Sequence, residues 1–105
     1  MSARASVALD EIRTFLGAIP AEEYARRAKL RSYRNAASAL VARTDSDTAR
    51  ALAWTVIEWA SPNLYAPGLP LEWLDQLNTL AKRLMVTAMQ AERLDDLLRE
   101  AASDE

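Results

Sequence analysis

Carboxylates and guanidinium groups supply most of the ligating or acid–base side chains of this chain, because histidine and cysteine are both absent. That absence excludes a zinc site of the usual kind, a Ser-His triad, a cysteine nucleophile and a histidine general base. Carboxylates alone can hold magnesium or work as an acid–base pair. Three groupings have suitable spacing: Glu72 with Asp75, Asp95 beside Asp96, and Glu92, Asp96 and Glu100 on one helical face. All of them lie on an amphipathic helix, where a charged face is ordinarily solvated. Glycine occurs only at Gly17 and Gly68, so no phosphate-cradling loop of the GxxxxGK[ST] type can form. The chain is therefore expected to be non-catalytic, with no metal, no cofactor and no small-molecule substrate.

Basic residues are more concentrated. From Tyr24 to Thr44 the chain carries Arg26, Arg27, Lys29, Arg31, Arg34 and Arg43 and no acid. Glu22 and Glu23 precede Arg26 and Arg27 by four residues, the favourable order for a helical ion pair. Arg27, Arg31 and Arg34 share a face, and like charges at that spacing cost about 0.2–0.5 kcal/mol per pair. The conservative reading is a solvated face neutralised by acids elsewhere in the chain. The sharper one makes Arg27, Lys29, Arg31 and Arg34 contacts to the phosphate backbone of DNA or RNA. A net charge of -2 and an isoelectric point near 5.2 weigh against a domain built chiefly for nucleic acid.

The elements that position these groups are helices. Valine and isoleucine are few while alanine and leucine abound, which favours helix over sheet. A first helical segment is expected from about Ser6 to Leu16, with Leu9, Ile12, Phe15, Leu16 and Ile19 on one face and Gly17 ending it. A second runs from Pro20 to about Ala42, burying Leu30, Tyr33, Ala36, Ala37, Leu40 and Val41. Thr44-Asp45-Ser46-Asp47 is a capping signal that opens a third segment, expected to end before Ser61-Pro62. Its buried face is Ala49, Leu52, Ala53, Val56, Ile57 and Ala60, which leaves Trp54 nearly opposite that face. Such a tryptophan either packs under the proline-rich stretch 61–70 or anchors a partner. Trp59, Tyr65 and Trp73 flank that stretch and are expected to hold it. Thr44 to Trp59 is a poor recognition helix for DNA, since it is largely apolar and carries only Arg50 as a base-reading cation. Within the stretch, Ala66-Pro67-Gly68-Leu69 spells a type II turn.

Pro70 begins a fourth segment with no breaker until about Ala102, a rod of roughly 45–50 Å. One apolar seam is Leu74, Leu77, Ala81, Leu84, Ala88, Ala91 and Leu98. A second, beside it, is Trp73, Leu77, Leu80, Leu84, Ala91, Leu94 and Leu98. Together they are wider than a two-stranded coiled-coil seam. A rod this long outreaches its companions, so its far half is expected to dock on another chain or a second copy.

With 105 residues and 50% of them hydrophobic, the expectation is one all-α domain, a four-helix bundle with a long C-terminal helix. No stretch has the length of a membrane span or a signal peptide, and a cytoplasmic location is expected. The function expected is that of a helical protein–protein interaction or assembly module, a homo-oligomer or a subunit of a larger complex. Trp54, Leu84, Ala88, Ala91, Leu94 and Leu98 are its candidate contact residues. In size, helicity and possession of a basic helix, the chain also resembles the small all-helical subunits of CRISPR effector complexes. That resemblance implies the alternative, a small subunit gripping nucleic acid through the basic second segment.

Overall fold

The computed structural model describes residues 19–103. Among them are three helices and no strand: α1 (Ala21–Arg43), α2 (Asp47–Asn63) and α3 (Leu71–Ser103). The segment expected from Ser6 to Leu16 lies outside the described residues. Over those residues, the four-helix bundle of the sequence reading is a three-helix one. All three pairs of helices pack on one another, so three suffice to enclose a common core. No helix among the described residues is long and apolar enough to cross a membrane.

The core is narrow and rich in alanine. Leu30, Ala37 and Leu40 of α1 meet Ala49, Ala53, Val56 and Ala60 of α2 and Leu74, Leu77, Ala81, Met85 and Ala88 of α3, with Leu64 closing one end. These are the faces that the 3.6-residue period marks out. Tyr33, Val41, Leu52 and Ile57 sit at its margin, and Ala36 is exposed.

Local chemistry explains the helix ends. Pro20 stands at the N-cap of α1, and its carbonyl accepts from the Tyr24 amide. At α2 the cap is Ser46, whose hydroxyl accepts from the Ala49 amide at 3.1 Å and donates to the Asp95 carboxylate on α3. The Ser46 amide in turn donates to the Thr44 hydroxyl. Ser46 thus caps one helix and ties it to another. Ser46→Ala is expected to cost about 1.5 kcal/mol, which lowers Tm by roughly 6–12 °C in a domain of this size. Asp47→Ala, next door but highly exposed, should move Tm far less. Equal midpoints for the two variants in thermal denaturation would show that the cap does not act as described.

The end of α2 differs from expectation. The helix runs through Pro62 to Asn63 instead of stopping before Ser61. A proline in the last turn removes only one helical N–H, and side chains take over the carbonyls there. The Asn63 side-chain Nδ2 donates to the Trp59 carbonyl at 2.6 Å, and Arg27 of α1 reaches the carbonyls of Asn63 and Leu64. Gly68 then takes a positive φ of 76°, as the type II turn over Ala66-Pro67-Gly68-Leu69 demands.

Three cross-links set the register of α3 against α1 and the turn that follows it. Arg26–Asp75, Arg43–Glu92 and Ser46–Asp95 each join residues 49 apart. A constant offset means that the two helices run parallel in step. The end of α1 at Arg43 is level with Glu92, and α3 continues from there to Ser103. The overhang is about 16 Å long. The turn between α1 and α2 braces it as far as Arg99, which donates to the Asp45 carbonyl at 3.0 Å.

Candidate interaction surfaces

The first surface is the outer seam of α3. Leu77, Leu84, Ala91 and Leu98 recur at seven-residue intervals, and the neighbouring row holds Trp73, Leu80 and Leu94 with Thr87 interrupting it. At 100° per residue, both rows lie about half a turn from Asp75 and Asn78, the residues that face α1. The seam is therefore on the far flank of α3. Leu77 is buried, Leu84 and Ala91 are half-buried against the core, and Trp73 and Leu80 are exposed. Exposure rises along the overhang, to 57% at Leu94 and 59% at Leu98, with Leu97 open as well. Ala88 departs from the expectation. It is fully buried, facing the core between α1 and α2, so it cannot meet a partner. Its angular position is only about 60° from that of Ala91, and that rotation separates core from rim. On α2, Trp54 is 46% exposed, away from the core-facing row.

The second surface concerns the basic residues, and the structure divides the set expected from sequence. Arg27 is 2% exposed. It donates to the carbonyls of Asn63 at 3.2 Å, Leu64 at 2.9 Å and Ala66 at 2.6 Å, and pairs with Glu23 at 3.4 Å. Its guanidinium closes the end of α2 and holds the proline-rich loop, so it is unavailable to a phosphate. The carbonyls at the end of α2 need a multidentate donor, and α1 passes beside them. Arg31 and Arg34 are half-buried and have no acidic partner among the described residues, Arg34 donating to Asn35 instead. Lys29 points elsewhere, into a groove of about 890 Å³ between α1 and α3.

That groove gathers cations that are distant in sequence. Arg26 and Lys29 stand on its α1 wall and Lys82 and Arg83 on its α3 wall, and Tyr33 and Val86 also line it. Its one acid, Asp75, bonds Arg26 at 2.8 Å. Asn78 at its base donates to the Arg26 carbonyl, while its buried Oδ1 has no partner among the described residues. Sequence reasoning missed Lys82 and Arg83 because acids outnumber bases over the second half of the chain. Only the register of α1 against α3 brings them to Lys29.

Four of the six carboxylates that might have served catalysis are bonded to other side chains. Asp75 holds Arg26, Glu92 holds Arg43, Asp95 holds Ser46 and Asp96 holds Arg99. Among the described residues, no three acids gather as a metal site. The Glu92 carboxyl has a clear shift. The Thr44 hydroxyl, and then Arg43, which reaches both of its oxygens at 3.0 Å, hold it below the ordinary glutamate range. A lowered native value means that the unfolded chain binds this proton first. The stability it contributes is complete above the ordinary glutamate value and fades as pH falls through the lowered one. Glu92→Gln should therefore flatten the loss of stability on acidification in that window, while changing the pH dependence little near neutrality. Parallel acid slopes for parent and variant would contradict this.

Comparison of the chain with protein-family models, with curated proteins and with solved structures finds no match.

Proposed function

We propose that the protein is a non-catalytic helical assembly module that joins a second copy of itself or a larger complex through α3. The observation that supports this reading is the overhang, where Leu94, Leu97 and Leu98 stand exposed beyond the end of α1. Leucines at this exposure on consecutive turns present apolar surface to solvent, which supports an interaction site there. The seam continues up the rod through Ala91, Leu84 and Leu80 to Trp73, so a partner helix can lie along α3 with contacts on most of its turns. Trp54 supplies a further anchor on α2. Sedimentation of the full chain at micromolar concentration, with and without the double substitution Leu94→Glu, Leu98→Glu, tests it. The expected result is a parent that associates and a variant that does not.

A further inference from the structure

We infer that the groove between α1 and α3 binds single-stranded nucleic acid, holding its phosphates with Lys29, Lys82 and Arg83 and a base against Tyr33. This site is separate from the seam and does not depend on the assembly reading. Four cations and one acid line the groove, a balance of 4 − 1 = +3, in a chain whose formal charge is 13 − 15 = -2. The acid, Asp75, is engaged by Arg26. Lys29, Lys82 and Arg83 are exposed and have no ion pair among the described residues. Positive charge thus collects from two helices on a face whose one acid among the described residues is already paired with Arg26.

The shape of the cluster selects the ligand. With the 49-residue offset, Arg26 is level with Asp75, Lys29 with Asn78 and Lys82 with Tyr33. The cations therefore run along the groove from Asp75 to Arg83, about 12 Å. A single small anion would leave most of them unanswered. A phosphodiester strand, which when stacked carries one charge per roughly 3.4 Å of helix axis, sets about three charges along that length. The volume, about 890 Å³, is on the scale of a bound small molecule and admits a few nucleotides but not a duplex. Tyr33 both packs against the core and lines the groove, which puts an aromatic ring where a base can stack. Val86, 46% exposed, adds an apolar contact beside it. An acidic peptide would answer the cations but make no comparable use of the ring.

The experiment is fluorescence anisotropy of labelled 15-nucleotide oligothymidylate and oligouridylate with the full-length chain. Either oligomer binding supports the proposal, and their ratio separates DNA from RNA. Three phosphate contacts predict a slope of about -2 in log affinity against log salt, so a fourfold rise in salt should weaken binding about 20-fold. Lys82→Glu with Arg83→Glu, both on the surface, should abolish binding while circular dichroism stays unchanged. Tyr33→Leu should weaken it about tenfold without changing the salt slope, since stacking and not charge is removed. Arg31→Glu with Arg34→Glu, away from the groove, should change it less than about twofold. No binding at low salt, indifference to the Lys82 and Arg83 reversals, a preference for duplex, or equal competition by polyglutamate would overturn the proposal.

Discussion

Arg27→Ala is expected to destabilise the protein by about 3–5 kcal/mol, the cost of removing one partner from a buried, hydrogen-bonded charge cluster. Three carbonyls depend on this guanidinium, those of Asn63, Leu64 and Ala66. They mark the end of α2 and the start of the loop to α3, so the loss falls on the joint between two helices. Hydrogen bonds to a charged donor contribute about 1.5–3 kcal/mol each when broken singly. Glu23 adds to the cost, because its carboxylate, mostly shielded, would lose its counter-ion. At 4–8 °C per kcal/mol, the fall in Tm is roughly 12–40 °C. Arg27→Lys should recover only a minor part, since an ammonium cannot fork across three separated acceptors. Arg34→Ala, which severs only a bond to Asn35, should cost less than about 0.5 kcal/mol. Urea denaturation of the three variants is the measurement. An Arg27→Ala midpoint within error of the parent would show that the carbonyls find water as readily as arginine, and the account of the α2 terminus would fail.

Leu94→Glu with Leu98→Glu is expected to leave the fold intact and abolish association. At 57% and 59% exposure the two side chains contribute little to the monomer, and glutamate is a good helix former. If each is a hot spot of about 2 kcal/mol, the pair weakens association about a thousandfold. Trp54→Ala should weaken it about thirtyfold on the same scale. Ala88→Glu is the contrast. Ala88 is fully buried, so a carboxylate there should unfold the chain outright. Sedimentation reads the first outcome and circular dichroism the second. A parent that stays strictly monomeric removes self-association, and leucine variants that still co-purify with the host partner remove the larger complex.

Much of this architecture is legible from residue spacing. The core rows of α2, Ala49, Ala53, Val56 and Ala60, follow directly from the helical period, as does the outward position of Trp54. The overhang is implicit in helix lengths, since a helix without a breaker from Leu71 to Ser103 must outrun one that stops at Arg43. The end of α2 was not legible, because the rule that proline stops a helix says nothing of an arginine on another helix that satisfies the exposed carbonyls.

The two surfaces divide along the same line. Composition and period determined the helical class, the absence of histidine and cysteine chemistry, and the apolar seam of α3. Tertiary structure alone decided that Arg27 is interior while Arg31 and Arg34 are not, that Ala88 is core while Leu98 is rim, and that Lys29 faces Lys82 and Arg83. The reason is geometric. Periodicity reports only the angle of a residue around its own helix axis. Whether that angle meets another helix, and at what height, depends on an offset of 49 residues set by loops and cross-links, which no local pattern encodes.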